Sequence, residues 1–286
     1  MSHIFYDNVS FSYDEDRPVL QNVSLRIQQG EIVGIMGKNG AGKSTLIHMM
    51  NGLLHPNLGS VSINGTATGD YDPSLLTTIV GLMFQNPEHQ LFSTTVEDEL
   101  DFSINNLKVS KEKKNQYKQE TIEQLELHHL LKKSPWNCSG GERKKVSLAS
   151  ILCRKPEILV FDEPTLGQDK QGYSILDSVL SNAINDGKTI IVVTHNTEFA
   201  FKHLKRILVM GEGQILADGP TSKILTNDFI LENSSLVEPR FIQFRKKLID
   251  KITPEHKLYT NIQQSQNYEE LRIIIQNYLR GGKSIQ

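Results

Sequence analysis

Residues 37–44 read Gly-Lys-Asn-Gly-Ala-Gly-Lys-Ser and satisfy every fixed position of the pattern Gly-x-x-x-x-Gly-Lys-Ser/Thr. An apolar run at 32–36 precedes them, and residues 45–50 favour a helix. A strand, a glycine-rich loop and a helix in this order bind phosphate, because the backbone N–H groups of the loop and the helix N-terminus face the same anion. Lys43 is expected beside the β- and γ-phosphates of a nucleotide, and the Ser44 hydroxyl is expected to bind Mg²⁺. The loop residues predicted to hold the nucleotide are Gly37, Asn39, Gly40, Ala41, Gly42, Lys43, Ser44 and Thr45.

Two carboxylates follow another apolar segment. Residues 158–161 are Ile-Leu-Val-Phe, and Asp162 and Glu163 come directly after them. Beside a phosphate loop, an Asp that ends an apolar strand binds Mg²⁺, often through water. Glu163, one residue further, is then expected near the γ-phosphate, where a carboxylate accepts a proton from the attacking water or orients it.

Two other polar residues also end apolar runs. Gln85 follows residues 79–84, and His195 follows residues 190–194. Because ligands bind at the carboxyl ends of the strands of a parallel sheet, these side chains are expected to converge with the two carboxylates. Gln85 is expected to bind either Mg²⁺ or the nucleophilic water. His195 is expected to hydrogen-bond either the γ-phosphate or Glu163.

Most of the chain alternates apolar strands with helical segments. Residues 86–155 differ, because they are rich in Glu, Lys, Gln and Leu at helical spacing. We therefore expect a domain over 1–220, with a helical subdomain at about 86–155, and a C-terminal helical extension over 221–286. Strands are predicted near 3–9, 23–27, 59–65, 79–84, 158–161, 189–193, 206–210 and 214–217, and helices near 139–151 and 171–185.

The extension carries apolar residues at helical spacing in two stretches, 241–252 and 268–279, and Pro254 lies between them. These stretches have apolar faces to bury. They pack either against the chain's own core or against another subunit.

Composition narrows the classes of function. With a net charge of -2 over 286 residues, the chain lacks the excess of basic residues that is typical of proteins that bind nucleic acid. Two cysteines, Cys138 and Cys153, provide no disulfide framework, which is typical of a reducing compartment. The first residues show no signal core, and the apolar runs are far shorter than the about 20 residues that span a bilayer. Any role at a membrane is therefore expected to depend on a partner.

These motifs together resemble an ATP-binding-cassette (ABC) ATPase over about residues 3–220. The resemblance rests on Tyr13, the phosphate loop, Gln85, the signature segment (residues 138–142, Cys-Ser-Gly-Gly-Glu), Asp162 with Glu163, Asp169 and His195, which stand in the family's order. Ser-Gly-Gly before a strand that ends in Asp is highly specific to this family. The resemblance implies an α/β P-loop NTPase fold with an antiparallel β subdomain and a helical signature subdomain, and it implies ATP and Mg²⁺ as ligands.

The resemblance also implies a head-to-tail dimer with two ATP molecules between the subunits. Ser139, Gly140 and Gly141 then belong to the nucleotide site, with Ser139 and Gly141 touching the γ-phosphate held by the other subunit. Small residues at a helix N-terminus suit this role, because they let backbone donors approach an anion. Asp169 is the D-loop carboxylate of the family. Tyr13 either stacks on the adenine ring or is a core or edge aromatic.

A narrower resemblance appears at residues 84–100, Phe-Gln-Asn-Pro-Glu-His-Gln-Leu-Phe-Ser-Thr-Thr-Val-Glu-Asp-Glu-Leu. This segment is similar to the Q-loop region of the energy-coupling-factor (ECF) ATPases, the A components of vitamin and cobalt/nickel importers, which also carry a C-terminal extension. The resemblance implies a peripheral protein at the cytoplasmic face of the cell membrane that couples ATP hydrolysis to transport. The partners that the resemblance implies are a second ATPase, a transmembrane T component and a substrate-binding S component. Residues 86–100 are then expected to line the groove for the coupling helices of the T component.

The chain departs from the usual ABC pattern at three positions. Cys138 stands where Leu is common, Glu142 where Gln is common, and Gln168 precedes Asp169 where Leu is more frequent. Cys is a small hydrophobe that this position should tolerate. Glu142 places a negative charge near an anion site and is expected to slow catalysis if it points inward. The departures leave open whether the second ATPase is another copy of this chain or a different protein.

The alternative is a soluble ABC ATPase that is not linked to transport. A type that acts on nucleic acid or ribosomes usually carries two cassettes or long coiled coils, whereas this chain has one phosphate loop, no sustained heptads and no basic excess. An iron–sulfur assembly type is disfavoured by residues 85–100 and by the C-terminal helices.

Overall fold

The structure, a computed structural model, describes residues 2–14, 17–253, 256–265 and 267–281. The strands in these residues are β1 Ser2–Ser12, β2 Pro18–Gln28, β3 Ile32–Gly37, β4 Leu58–Ile63, β5 Thr66–Ala67, β6 Val80–Met83, β7 Ile158–Asp162, β8 Thr189–Val193, β9 Arg206–Gly211 and β10 Gln214–Pro220. The helices are α1 Lys43–Met50, α2 Pro73–Ile79, α3 Val96–Asn105, α4 Lys111–Gln124, α5 Gly140–Leu152, α6 Lys170–Asn185, α7 Thr197–His203, α8 Thr221–Ile224, α9 Asp228–Ser234, α10 Arg240–Ile249, α11 Tyr259–Gln264 and α12 Tyr268–Gly281.

The strands form two sheets. An antiparallel sheet has the order β2-β1-β4-β5, and a larger sheet has the order β10-β9-β3-β8-β7-β6. In the larger sheet, neighbours from β9 to β6 are parallel, and β10 pairs antiparallel with β9. Strands β3, β7 and β8 are buried along their whole length, which explains their continuous apolar sequences. Their carboxyl ends meet at one edge, where the phosphate loop also begins.

The parallel sheet separates two apolar cores. Successive strand residues point to opposite faces, so Leu159 and Phe161 join one core while Val160 joins the other. The core of Val160 also contains Tyr6 of the antiparallel sheet and Leu46 of α1. The core of Phe161 contains residues of α3, α5, α6 and α7. The phosphate loop and α1 therefore lie on the face of the parallel sheet that packs against the antiparallel sheet, and α3, α5, α6 and α7 pack on the opposite face.

The C-terminal helices have a small core of their own. It consists of Phe241 and Ile242 of α10, Ile262 of α11 and Leu271 of α12. Phe201 of α7 packs against this core and against the main one. The predicted helical character of 268–279 is confirmed by α12, and that of 241–252 is confirmed by α10 as far as Ile249. Pro254, predicted to separate them, lies outside the described residues.

Two predicted strands extend beyond their ends in the structure. β4 ends at Ile63, two residues before the end of the strand predicted near 59–65. The prediction near 79–84 is wrong at its start, because Ile79 is the last residue of α2 and β6 is Val80–Met83. The cause is a local helix signal, because the Asp72 side chain accepts a hydrogen bond from the Leu75 N–H at 3.1 Å and Pro73 occupies the first turn. Across the described part of the chain, no helix has both the length and the apolar character needed to cross a membrane.

Candidate functional site

The phosphate loop connects β3 to α1. Gly37, the last residue of β3, has φ +137°, and a Cβ there would lie 2.1 Å from the Met210 carbonyl oxygen of β9. Gly42, which caps α1, has φ +95°. Residues that carry a Cβ rarely adopt these backbone conformations. The glycines at these two positions of the motif therefore let the backbone turn tightly from the sheet into the helix.

Lys43 is folded back onto the loop. Its ammonium group donates hydrogen bonds to the carbonyl oxygens of Gly37 and Lys38, both at 2.8 Å. Burial lowers the pKa of Lys43, while the nearby carboxylates of Glu163 and Asp162 act in the opposite direction. The loop thus carries a partly desolvated positive charge at the position where the motif predicts phosphate.

Asp162 ends β7 beside this loop. Its Oδ2 accepts a hydrogen bond from the Ser44 hydroxyl at 3.2 Å. Burial raises the pKa of Asp162 to about 6. Ser44, Asp162 and Gln85 line the same cavity and supply hydroxyl, carboxylate and amide oxygens, the donors that Mg²⁺ prefers. The residues present therefore fit a magnesium ion. No group of three or more His, Cys, Asp or Glu in the described residues could hold a metal, so further ligands would have to come from phosphate and water.

Glu163 has an unusual backbone and an unusual carboxylate. Its φ is +48°, in the left-handed region, a conformation that costs about 1–3 kcal/mol in non-glycine residues and concentrates at functional sites. Its N–H donates to the Val193 carbonyl oxygen at 2.9 Å. Oε1 lies 2.9 Å from Nδ1 of His195. Oε2 is buried and has no hydrogen-bond partner among the described residues, so one oxygen of a fixed carboxylate remains available to accept a proton.

A single cavity of about 630 Å³ contains most of the predicted site. It brings the phosphate loop together with Gln85, Asp162, Glu163 and His195. It also includes a segment that sequence reasoning missed, residues 234–236 at the end of α9. Because that segment carries no motif and reaches the cavity only through packing of α9, the sequence gives no signal for it. The predicted loop residues that line the cavity are Gly37, Asn39, Gly40, Gly42, Lys43, Ser44 and Thr45.

The remaining predicted residues lie elsewhere. Ala41 is buried in the core behind the loop. The Tyr13 side chain is 61% exposed, its hydroxyl lies 3.3 Å from Oγ1 of Thr45, and its ring packs edge-on against Phe11. Asp169 is exposed and caps α6 by accepting a hydrogen bond from the Gly172 N–H at 2.8 Å. Tyr13 thus stays beside the loop, whereas Asp169 belongs to another surface.

The signature segment is also separate from the cavity. Ser139, Gly140 and Gly141 are exposed at the start of α5. Ser139 Oγ accepts a hydrogen bond from the Glu142 N–H at 3.3 Å, and Glu142 Oε2 accepts one from the Ser139 N–H at 2.7 Å. This capping box turns the Glu142 carboxylate back onto its own helix. The hydrogen bonds from Ser139 hold the pKa of Glu142 below its usual value.

The segment after β6 is tied to α5 by partly buried hydrogen bonds. The Gln90 amide nitrogen donates to the Ser147 carbonyl oxygen at 2.7 Å and to Ser150 Oγ at 2.8 Å. Its amide oxygen accepts from the Phe84 N–H at 3.3 Å and from Ser147 Oγ at 2.7 Å. Gln90 therefore links the residues next to Gln85 with the helix that carries the signature segment.

The same segment presents an aromatic pair on its outer surface. The carboxylate of Glu99, which is 2% exposed, accepts hydrogen bonds from the N–H groups of Phe92 and Ser93 at 3.0 and 2.9 Å. Phe92 and Phe102 are 60% and 57% exposed, and their rings meet edge-on with centroids 4.7 Å apart. Both line a smaller cavity with Ser74 and Arg154. The buried carboxylate thus fixes the loop that carries Phe92, whose exposed ring lies beside the exposed ring of Phe102 on α3.

Comparisons with known proteins show which family the chain is similar to. A sequence model of the family described as "ABC transporter" matches residues 20–166. The chain is 39% identical to the energy-coupling factor transporter ATP-binding protein EcfA2 of Acetivibrio thermocellus, over 83% of this chain and 85% of that one. It is 33% identical to EcfA of Methanococcus maripaludis, over 96% and 97% of the two chains.

Two solved structures extend the comparison. The structure of cbiO1 from Clostridium perfringens, described as part of the ABC transporter complex cbiONQ, has a TM-score of 0.70 at 27% identity and covers 86% of this chain and 99% of that one. A dimeric ATP-binding cassette bound to ADP and Pi has a TM-score of 0.67 at 29% identity, covering 76% and 98%. The α/β fold class predicted from the sequence is confirmed by these likenesses.

Proposed function

Because the chain belongs to the ABC transporter family of ATP-hydrolysing subunits, we propose that it powers an ECF-type importer of a vitamin or a transition-metal ion. The observation that carries the proposal is the single cavity in which the phosphate loop meets Asp162, Glu163, Gln85 and His195. The relatives named as energy-coupling factor ATP-binding proteins support the transporter class.

ATP is proposed to bind with its phosphates on the loop. The backbone N–H groups of residues 39–45 and the ammonium of Lys43 face the β- and γ-phosphates, with Lys43 exchanging its two carbonyl partners for phosphate oxygens. Tyr13 is proposed to stack on the adenine ring, since its exposed ring is held beside Thr45. Ser44, Asp162 and Gln85 would hold Mg²⁺, which neutralises phosphate charge when it is bound.

Glu163 is proposed as the general base. A water in line with the bond between the γ-phosphorus and the bridging oxygen of ADP attacks the γ-phosphorus and gives its proton to the buried carboxylate. The bond to the bridging oxygen breaks and leaves its electrons on ADP. His195 holds Oε1, which leaves Oε2 as the accepting oxygen. His195 is also proposed to contact the γ-phosphate, and Gln85 to position the water.

The cassette is proposed to act as a head-to-tail dimer. Ser139, Gly140 and Gly141 are exposed and do not line the chain's own cavity, so a second subunit would have to supply them to complete the site. The dimeric cassette with ADP and Pi supports this arrangement. Residues 221–286 are proposed as a separate extension that adds to the contact between subunits, since Phe244 and Leu279 remain 47% and 61% exposed on its helices.

A transmembrane T component is proposed to dock on residues 86–100. The exposed pair of Phe92 and Phe102 gives that surface an apolar anchor, and Gln90 connects it to α5. The cbiO1 structure, part of the cbiONQ complex, supports an assembly with further subunits. An S component selects the solute, and the ATPase sits peripherally at the cytoplasmic face of the membrane. The second ATPase is a copy of this chain or a different cassette.

The test is affinity purification of the tagged chain from detergent-solubilised membranes of its native cell, followed by uptake assays. We expect a T-like membrane protein to copurify, and deletion of the gene to abolish uptake of one radiolabelled vitamin or of Co²⁺ or Ni²⁺. Normal uptake of every candidate solute, together with copurification of ribosomes or an iron–sulfur scaffold, would favour the soluble ABC ATPase instead.

A further inference from the structure

One wall of the nucleotide cavity comes from the C-terminal part of the chain. We propose that the α9 turn (residues 234–236) is a positioning element of the nucleotide site and couples the C-terminal helices to nucleotide affinity. The proposal rests on the proposed nucleotide site, because the turn lines the same cavity as the phosphate loop and His195.

The α9 turn is anchored by buried side chains and by hydrogen bonds to the preceding helical turn. Ser234 is 1% exposed, and its hydroxyl donates to the Ile230 carbonyl oxygen at 2.6 Å. Leu231 and Leu236 are buried in the main core, and the Leu236 N–H donates to the Leu231 carbonyl oxygen at 3.1 Å. Between two buried neighbours, Ser235 is exposed with φ +53°. The turn therefore presents Ser235 from an anchored backbone in a conformation that glycine would adopt with less strain.

The sheet explains why this turn reaches the nucleotide cavity. Helix α9 packs on β9. Strand β9 pairs with β3, with Met210 opposite Gly37, the residue that begins the phosphate loop. Packing on β9 thus carries the end of α9 to the edge of the sheet where the phosphate loop lies. A ligand that fills this cavity meets side chains from both the loop and the α9 turn.

Two sets of contacts connect the turn to the helices beyond it. The Arg240 N–H of α10 donates to Glu198 of α7, and α7 begins directly after His195 and Asn196. Lys246 of α10 bonds Asp228 at 3.1 Å and Glu238 at 2.7 Å, the residues on either side of the α9 turn. A shift of α10 is therefore transmitted to both sides of the cavity. By reciprocity, a nucleotide that favours one position of the turn favours one position of α10.

Thiol footprinting with ADP tests the first half of the proposal. Ser235→Cys is nearly isosteric, and the native Cys138 and Cys153 are 4% and 0% exposed, so a maleimide should modify the introduced thiol. ADP with Mg²⁺ is the probe, because it lacks the γ-phosphate through which the subunits are proposed to close. Wild type gives the background rate. Asn233→Cys is the matched control, on the exposed surface of the same helix and outside the cavity.

We expect ADP at 10 times its dissociation constant or more to slow modification of the Ser235→Cys thiol by roughly tenfold, since only the free protein would react. The Asn233→Cys thiol should react at the same rate with and without ADP. A bulky maleimide on the Ser235→Cys thiol should weaken ADP binding by at least about tenfold, and the same adduct on Asn233→Cys should not.

Equal rates of thiol modification with and without ADP at both positions overturn the inference. If wild type binds no ADP, the proposed nucleotide site itself fails and the inference with it.

A second pair of variants tests the coupling. Lys246→Met removes the ion pairs with Asp228 and Glu238, whereas Lys247→Met changes a neighbouring exposed lysine of α10. We expect Lys246→Met to change the ADP dissociation constant by about fivefold, at the lower end of typical couplings between sites, and Lys247→Met to leave it unchanged. Equal ADP affinity in the two variants, both folded by circular dichroism, overturns the coupling while leaving the footprint result to stand by itself.

Discussion

His195 Nδ1 lies 2.9 Å from Oε1 of Glu163, while Glu163 Oε2 is buried and accepts no hydrogen bond from the described residues. The histidine therefore fixes the carboxylate, and the second oxygen is buried without a partner among the described residues, so a ligand or a water is needed to satisfy it. This pairing is what distinguishes Glu163 from a carboxylate that merely ends a strand.

Replacing Glu163 with Gln is expected to lower ATP turnover roughly 10²–10⁴-fold, the range for a lost general base. ATP affinity should be preserved, because Gln keeps the size of the side chain and the phosphate loop is untouched. Single-turnover hydrolysis and fluorescent-nucleotide binding measure the two quantities. Glu232→Gln, an exposed carboxylate of α9, is the control and should leave both unchanged. Turnover within threefold of wild type in Glu163→Gln removes this residue from the role of base.

Lys43→Ala is expected to weaken ATP binding about 10- to 100-fold, because hydrogen bonds to a charged group contribute roughly 1.5–3 kcal/mol. The Gly37 and Lys38 carbonyl oxygens lose their partner, so thermal unfolding should accompany the binding assay to show that the loop still folds. Lys223→Ala, at an exposed position of α8, should bind ATP normally. Unchanged affinity in folded Lys43→Ala argues against the phosphate-loop assignment.

Much of the site could be predicted because local sequence carries it. The apolar runs before Asp162 and His195 predict buried parallel strands, and parallel strands bring their carboxyl ends together whatever the loops between them do. The direction of the Glu142 side chain, which the sequence left open, is decided in the structure by its capping box with Ser139.

The rest depends on contacts that no local pattern encodes. Ser235 reaches the cavity because α9 packs on β9, a consequence of tertiary packing that periodicity does not report. Ile79 is apolar beside an apolar strand, and only the cap at Asp72 decides that it belongs to a helix. The place of Ser139 relative to ATP requires a second subunit, so neither one sequence nor one chain determines it.

The head-to-tail dimer can be tested at Ser139 without loss of the helix cap. Asp is as good a cap as Ser, whereas Ala costs about 1 kcal/mol at such a position. Ser139→Asp should therefore unfold at the wild-type temperature, but its added charge should repel a γ-phosphate held by the other subunit. In the Glu163→Gln background, we expect ATP to produce a dimer by size-exclusion chromatography with light scattering, and Ser139→Asp to abolish it.

The control for this experiment is Ser110→Asp, which changes the cap of α4 in the same way. It should leave the ATP-dependent dimer intact. Dimerisation of the Ser139→Asp protein at the same ATP concentration contradicts the proposed role of the signature segment. If the native complex contains two different ATPases, the same comparison is made with both cassettes coexpressed.

Docking of the T component is expected to depend on the pair of Phe92 and Phe102. Both rings are more than half exposed, and each buries on the order of 150–250 Å² when it is fully covered, so Phe102→Ser should lower copurification of the membrane partner by at least about tenfold. The basal ATPase rate and the unfolding temperature should stay near wild type, because the ring contributes little to the core. Phe229→Ser, at a 75% exposed position of α9, is the matched control. Equal recovery of the membrane partner with both variants argues that the coupling surface lies elsewhere on the cassette.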